Sequence, residues 1–351
     1  TYFKDVPAYA YVVHDWAVLY LCQAEAKSVA STQLPELDAA CASLSTLKNH
    51  LGERMHPFWN FTLATAHYKR GMGREHAQEF GHLAAIGDYD SAIELLLPLE
   101  TTIGADFPHR WTYLLADAYV RRTAARFVVD DPRLVQLTDD CGKAIRLLKV
   151  LKEEDEASFP EHCRGTLARA YWTMGNLALR TGDREQSLHY YDAAISGLEE
   201  LKNGKAPASL EADDSVQLAR VYANRGLVRR DTSRFGLQFA DDDYSEAIRL
   251  LTFTVERVGS KALAEWNEHL ASAYTSRGDV RQDLRGYGFI EAIRDYGRAI
   301  ALLDGIDPGP DAERFLGWSD ARARAHMNRG NARQSAQGYG ARAAIEDFDI
   351  A

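Results

Sequence analysis

Two short sequence phrases recur six times along the 351-residue chain, and their spacing constrains the fold more than any other feature. The first phrase, typified by LARAYWTMG, ends at Gly71, Thr123, Gly175, Gly226, Gly278 and Gly330. The steps between these end points are 52, 52, 51, 52 and 52 residues. Self-similarity at a fixed period indicates a repeat protein, in which each unit packs mainly against its neighbours.

The second phrase, typified by ADDDYSEAI, keeps the same register. Its last alanine falls at Ala92, Ala144, Ala194, Ala247, Ala299 and Ala351. These steps are 52, 50, 53, 52 and 52 residues. Two phrases that stay in register over six cycles predict a repeated pair of structural elements.

Both phrases have the spacing of amphipathic helices. Counting back from Gly71 in steps of four gives His67, Leu63 and Trp59, which share one helical face. The second phrase places its aromatic residue three positions before its last alanine, which is again a helical spacing. Between the phrases, pairs such as Phe80-Gly81 predict a turn with a permissive glycine, so each unit is predicted to be a helical hairpin.

The repeat register also sets the expected domain organisation. We expect a single solenoid over residues 1–351, with a degenerate N-terminal unit at 1–56 whose helices lie near 16–26 and 37–47. About six repeat units follow over residues 57–351. The chain stops at Ala351 within the sixth second phrase, so we expect these residues to be part of a longer protein.

Residues 167–195 carry the clearest unit, in which Gly175, Gly182, Ser187, Tyr191 and Ala194 follow a known spacing. This pattern resembles the tetratricopeptide repeat, and the register extends the resemblance over residues 57–351. The resemblance implies an all-α fold, a right-handed α-solenoid (superhelix) of antiparallel helical hairpins. The period of 52 residues exceeds the roughly 34 of the family, so longer helices or connections must absorb the difference.

A repeated charge pattern accompanies the phrases. Five units carry two arginines four residues apart: Arg70/Arg74, Arg122/Arg126, Arg225/Arg229, Arg277/Arg281 and Arg329/Arg333. The same five units place an aspartate in the second helix, at Asp88, Asp140, Asp243, Asp295 and Asp347. The third unit has Met174, Ala178 and Tyr190 at these positions and so lacks both charges.

Because the arginines and the aspartate are absent together, we favour a structural pair between the two helices of each hairpin. The alternative is a row of guanidinium groups that binds phosphate or carboxylate ligands, including nucleic acid. The net charge of −10 argues against nucleic acid as a partner.

Composition limits the remaining classes. No uninterrupted apolar stretch is long enough for a membrane span, no signal peptide is recognisable, and four scattered cysteines fit a reducing compartment. We therefore expect a cytoplasmic protein that does not act on a membrane.

No standard catalytic or nucleotide-binding motif is present, so we expect a protein that is not an enzyme and needs no cofactor or metal. Cys141 and Cys163 replace aromatic residues of other units, which predicts core positions. His67, His76 and His82, with Glu75 and Glu79, lack a diagnostic ligand spacing. The tryptophans at 59, 111, 266 and 318 occupy the packing face, which predicts core residues.

The remaining candidates for a functional site are residues on the surface of the first helices. In tetratricopeptide-like arrays the first helices line a groove that takes peptides or helices, and the resemblance implies a set of groove residues. They are Tyr68, Arg169, Trp172, Asn176, Arg180, Arg220, Asn224, Arg230, Gln282, Asn328, Asn331 and Gln334. The family's carboxylate clamp is not supported, because Trp172, Ser272 and Ser276 stand where it has cationic residues.

From these observations we expect a protein–protein interaction scaffold that binds a peptide or a partner domain in its groove. The bound segment could also belong to the protein's own C-terminal region. Two alternatives stay open. The array is a regulatory or sensor part of a larger protein with an effector or enzyme domain beyond residue 351, or it binds nucleic acid or a phosphate ligand along the arginines.

Overall fold

The computed structural model describes residues 7–27, 30–75, 81–154, 156, 159–203, 212–231, 234–259, 264–284, 288–306, 312–336 and 341–351. Within these ranges the chain forms α-helices and short 3-10 turns, and no β-strand occurs. The all-α prediction is confirmed.

The described residues contain fourteen α-helices. They are α1 (Ala8–Glu25), α2 (Leu34–Leu51), α3 (Pro57–Glu75), α4 (Gly81–Ile103), α5 (His109–Val128), α6 (Leu134–Glu154), α7 (Glu161–Arg180), α8 (Arg184–Asn203), α9 (Ala212–Arg230), α10 (Arg234–Val258), α11 (Ala264–Asp283), α12 (Gly288–Asp304), α13 (Ala312–Ser335) and α14 (Ala341–Ile350). Most contain 17 to 25 residues, so long helices account for the long repeat. Both helices predicted in the N-terminal unit are present as α1 and α2.

The chain divides into two compact units, Thr1–Leu177 and Ala178–Ala351. In the first unit, α4 packs against its hairpin partner α3 and against the next first helix, α5, and α3 also contacts α5. In the second unit, α10 contacts α9 and α11, α12 contacts α11 and α13, and α11 contacts both α9 and α13. Each unit is therefore a stack of hairpins in which successive first helices touch. Whether the whole chain forms one continuous array stays a prediction.

The glycine that ends the first phrase lies inside a helix, where it makes room for an aromatic ring. A Cβ placed on Gly71 would lie 2.7 Å from Cε1 of Tyr89, and one on Gly278 would lie 2.7 Å from Cε1 of Tyr296. Both tyrosines are fully buried between the helices of their hairpins. The glycine therefore serves close helix packing, because any side chain would collide with the ring.

The second repeat fills the same space with a different pair. Thr123 replaces the glycine and Cys141 replaces the tyrosine, and both side chains are fully buried. The smaller Cys141 leaves the volume that the Thr123 side chain occupies, which conserves the total core volume. Cys163 is also buried, so the prediction of core cysteines is confirmed.

The turn glycine predicted between the helices has another role where it is described. Gly288 is the first residue of α12, and a Cβ there would overlap the carbonyl oxygen of Arg281. This glycine therefore allows the close approach of two backbone segments. Gly236 lies within α10, so the turn predicted at this position is wrong.

Candidate interaction surface

The predicted pairing of arginines with an aspartate is present in all five units that carry it. In the hairpin of α3 and α4, Arg70 Nη2 donates to Asp88 Oδ1 at 2.6 Å, and Arg74 Nη1 donates to Asp88 Oδ2 at 3.0 Å. Equivalent contacts of 2.5 to 2.7 Å join Arg122 to Asp140, Arg225 to Asp243, Arg277 to Asp295 and Arg329 to Asp347. All five aspartates are 1 to 2% exposed. We call these five sets the arginine–aspartate ladder.

Sequence reasoning missed a second acceptor, which comes from the preceding hairpin. Arg70 Nη1 donates to Asp38 at 3.0 Å, Arg122 Nη1 to Asp90 at 2.6 Å, and Arg225 Nη1 to Asp192 at 2.6 Å. In the next unit Arg277 Nη1 donates to Ser245 Oγ at 3.0 Å, while Arg281 reaches Asp241. Each of these arginine pairs therefore ties three helices together, within a hairpin and between hairpins.

The pKa shifts of the ladder aspartates differ in direction: burial raises the pKa of Asp140 and Asp243, whereas the pKa of Asp88 and Asp347 is lowered. Burial acts to raise the pKa of Asp88, but hydrogen bonds from His67 and Arg70 and the charges of Arg70 and Arg74 outweigh it, so the pKa is lowered. The same balance, with Arg329, His326 and Arg333, lowers the pKa of Asp347. In the sets of Arg70, Arg122, Arg225 and Arg281 the arginines pair with a second aspartate as well, so an external phosphate would have to compete with these carboxylates.

The first helices of the first unit are joined by a sealed polar cluster centred on Asp117 of α5. Tyr68 of α3 donates to Asp117 Oδ2, and Thr166 of α7 donates to Asp117 Oδ1 at 3.0 Å. Arg121 Nε donates to the same carboxylate at 3.2 Å, and Arg169 Nη1 lies 3.7 Å away. Three successive first helices thus share one carboxylate, which we call the Asp117 cluster.

The central groups of the Asp117 cluster are buried. Asp117 is 1% exposed and Tyr68 is 8% exposed. Burial acts to raise the pKa of Asp117, but Arg121 and Arg169 outweigh it and lower the pKa. Burial together with the Asp117 charge raises the pKa of Tyr68 well above its ordinary value, so its hydroxyl stays a donor.

The second unit has a comparable but open cluster centred on Asp279 of α11. Tyr296 donates to Asp279 Oδ1 at 2.7 Å, and Asn328 Nδ2 of α13 donates to the same oxygen at 2.9 Å. Arg230 Nη1 of α9 lies 3.6 Å from Oδ2, and Tyr296 also donates to Gln282 at 3.2 Å. The Asp279 side chain is 30% exposed, and partial burial raises its pKa.

A cavity of about 270 Å³ opens beside this Asp279 cluster, between α11 and α13. Its lining includes the small polar residues Ser272, Thr275 and Ser276, the aromatic Trp318 and the charged residues Glu268, Asp279 and Arg324. The Thr275 hydroxyl donates to the Ala271 carbonyl of its own helix at 3.0 Å. The indole is oriented by its Nε1, which donates to the Leu303 carbonyl at 2.7 Å. The first-helix face of the second unit thus offers a polar recess with one aromatic wall.

The structure brings some of the predicted groove residues together. Tyr68 and Arg169 meet at Asp117, and Arg230, Gln282 and Asn328 meet around Asp279 and Tyr296. Of the others, Trp172, Asn176, Arg220 and Asn224 are half-buried on α7 and α9, and Arg180, Asn331 and Gln334 are exposed on α7 and α13. Their part in binding stays a prediction.

The two central aspartates were not predicted from the sequence. Asp117 stands within the apolar run LLADAYV, and a lone acid in a buried helix phrase is a usable signal for a polar cluster. Asp279 follows the phrase-ending Gly278, and none of the other five repeats has an aspartate at this position. Only the packed first helices reveal which donors face either carboxylate.

Other predicted residues have structural positions. Trp59, Trp111 and Trp266 are 5 to 9% exposed, which confirms them as core residues. The same prediction is wrong for Trp318, which is half-buried and lines the recess. His67 Nδ1 lies 3.4 Å from Asp88 Oδ1 and so belongs to the ladder, while His76 and Glu79 lie outside the described residues. Among the residues described, no group of three or more His, Cys, Asp or Glu side chains is arranged to hold a metal ion.

In the part of the chain that the structure describes, every helix is too short or too polar to cross a bilayer.

Comparison with known proteins shows a fold and no close relative. No family model and no curated protein sequence matches the chain. The crystal structure of BtubC (BKLC) from P. vanneervenii has a TM-score of 0.50, at 16% identity over 76% of this chain and 84% of that chain. The nuclear import adaptor Nro1 of S. pombe has a TM-score of 0.50, at 13% identity over 90% of this chain and 98% of that chain.

At these identities the two structures indicate a shared fold alone. The predicted class agrees with the observed geometry, because antiparallel helical hairpins repeat at the sequence period and pack against the next hairpin. The fold is a helical-repeat fold of the tetratricopeptide-like kind.

Proposed function

We propose that this protein is a non-enzymatic interaction module whose first helices bind a peptide segment or domain of another protein. The observation that carries the proposal is the polar recess between α11 and α13, where Ser272, Thr275, Ser276 and Trp318 surround an accessible part of Asp279. Helical repeats supply rigid, extended surfaces of this kind for protein partners.

Variation along the first helices supports an irregular partner. The residue three positions before the phrase-ending position is Tyr68, Val120, Trp172, Ala223, Thr275 or Met327. Tyr68 and Val120 are buried in the first unit, whereas Met327 in the second unit is 48% exposed. In the second unit the equivalent residues Ala223, Thr275 and Met327 are half-buried or exposed and differ from one another. A surface that varies in this way suits one protein sequence better than a polymer with its own regular spacing.

Hydrogen-bonding groups in the recess suit a peptide backbone. The Ser272 hydroxyl can donate and accept, whereas the Thr275 hydroxyl, which donates to the Ala271 carbonyl, can only accept from a partner. With the Asp279 carboxylate as a further acceptor, a bound main chain would find partners for its N–H and C=O groups. The Trp318 indole provides an apolar wall for a side chain of the partner. A peptide that replaced water here would keep its polar groups satisfied.

Site-specific photo-crosslinking tests the proposal. A benzoylphenylalanine at Ser272, exposed and in the recess, should crosslink to a protein partner in the source cell extract. The matched control carries the same residue at Arg294, an exposed position on α12, a second helix. Equal adducts at both positions, adducts to nucleic acid instead of protein, or no adduct at Ser272 would contradict the proposal.

A further inference from the structure

A second cavity lies in the first unit and borders the Asp117 cluster, because its lining residue Tyr113 places its hydroxyl 3.4 Å from Thr166 Oγ1. It has a volume of about 460 Å³ and sits where α5 and α7 begin and α6 ends. Volumes of about 300 to 1,000 Å³ are typical of pockets that hold small molecules. The cavity therefore is large enough for a ligand of its own.

The depth of this cavity is apolar. Leu151, Phe159 and Cys163 line it and are 8%, 5% and 3% exposed, so their side chains lie at its inner end. Burial raises the pKa of the Cys163 thiol to about 11, which keeps this group uncharged at neutral pH. An apolar ligand body is the occupant that this inner end favours.

The mouth of the cavity carries basic side chains. His109, Arg110 and His162 line it, and all three are exposed. None of the described residues that line the cavity is acidic. At the rim, His109 Nε2 lies 2.9 Å from Glu154 Oε2.

Two of these side chains are held in place by aromatic contacts. The Arg110 guanidinium lies 5.6 Å from the centroid of the Phe61 ring. The His162 ring meets the Tyr113 ring edge to face, with centroids 4.5 Å apart. A carboxylate at the mouth would thus meet positioned donors rather than free side chains, which lowers the entropic cost of binding.

We propose that this cavity binds a small carboxylic acid with an apolar body, such as a medium-chain fatty acid. The apolar part fills the space beside Leu151, Phe159 and Cys163, and the carboxylate accepts hydrogen bonds from Arg110 and His162. This proposal does not depend on the proposed interaction function, because it uses a different cavity and different residues.

Calorimetric titration of the whole protein with three probes of equal chain length tests the ligand class. Octanoate should bind saturably at one site, at least about tenfold more tightly than octylammonium, with octan-1-ol between them. Raising the salt concentration should weaken the binding of octanoate and leave that of octan-1-ol unchanged. Equal binding of octylammonium, or no saturable binding of octanoate, would overturn the proposal.

Three variants locate the site. Arg110→Gln, at an exposed position, should weaken octanoate binding about tenfold and leave octan-1-ol unaffected. Cys163→Phe should fill the cavity and abolish both, with circular dichroism confirming that the protein folds. The control Arg249→Gln changes an exposed arginine of α10 and should change neither. If Arg110→Gln leaves octanoate affinity unchanged, the assignment is wrong, whatever Cys163→Phe does.

Discussion

The two units use the same first-helix face in opposite ways. In the first unit, Asp117 is 1% exposed and takes hydrogen bonds from three successive first helices. In the second unit, the Asp279 side chain is 30% exposed and borders an open recess. The first face is closed by its own polar network, and the second keeps polar groups accessible.

This difference shows that repeats of the same length can form a closed, rigid face in one part of the chain and a face accessible to a partner in another. A buried carboxylate that several cations and hydroxyls share holds helices in one arrangement, because each unmet partner would be costly. A half-exposed carboxylate can exchange a protein contact for water or for a partner group at lower cost. We therefore expect stability effects to concentrate at Asp117 and binding effects at Asp279.

The largest effect on the free energy of unfolding should come from removing the two central carboxylates, Asp117 and Asp279. Asp117→Ala leaves Arg121, Tyr68 and Thr166 without their buried acceptor and should destabilise the protein by about 3–5 kcal/mol. Asp279→Ala should cost about 1–2 kcal/mol, because the buried Tyr296 hydroxyl keeps Gln282 as an acceptor and water can reach Asn328 and Arg230. Urea unfolding followed by circular dichroism measures both. Equal losses at the two positions would break the comparison.

The ladder should behave alike in both units, since its geometry is the same. Asp88→Ala and Asp295→Ala each remove a buried partner of two arginines and should each cost about 2–4 kcal/mol. Urea unfolding again provides the measurement. A large difference between the two variants would mean that the units differ beyond their first-helix faces.

A variant that copies the third repeat provides the control for the ladder. Replacing Arg277, Arg281 and Asp295 by Met, Ala and Tyr removes the charges together, as at Met174, Ala178 and Tyr190. This triple change should cost less than the sum of the three single changes to alanine, because Arg277, Arg281 and Asp295 are partners of one another and are removed together, so that among the described carboxylates only Asp241 loses an arginine. Strict additivity would contradict the pairing.

The helix-packing glycines should give a smaller effect that is again equal in the two units. Gly71→Ala and Gly278→Ala place a Cβ 2.7 Å from Tyr89 and Tyr296, and should each cost about 1–3 kcal/mol. Gly226→Ala should cost less, since its nearest ring atom would be 3.2 Å away. Thermal unfolding of the three variants gives this order, and a more damaging Gly226→Ala would contradict it.

The smallest effect concerns pH and separates the two clusters by sign. The pKa of Asp117 is lowered in the folded protein, so its contribution is present above the unfolded value, about 3.9, and is lost as the pH falls through the folded value. The pKa of Asp279 is raised, so its contribution decreases as the pH rises from the unfolded to the folded value.

The pH dependence of each contribution is measured as the difference in the free energy of unfolding between the native protein and a variant. The free energy of unfolding is measured between about pH 3 and pH 7 for the native protein, Asp117→Asn and Asp279→Asn. Native minus Asp117→Asn should increase with pH, whereas native minus Asp279→Asn should decrease over the acidic range. Slopes of the same sign would show that burial and charge are balanced alike in the two clusters.

Much of the fold could be predicted because its determinants lie close together in the sequence. Arg70 and Asp88 are 18 residues apart, and the same separation recurs between Arg277 and Asp295. Helical periodicity and one turn are enough to bring such residues together. The sequence alone therefore determined the repeat period, the helical hairpins, the core tryptophans and the pairing within each hairpin.

Only the tertiary structure decided which distant groups meet. Arg70 reaches Asp38 across 32 residues, and Tyr68 reaches Asp117 across 49. These contacts depend on how each hairpin packs on the next, and side-chain packing at every interface sets that geometry. Packing of this kind seals Asp117, leaves Asp279 accessible and forms the two cavities, and a repeat pattern in one chain does not encode it.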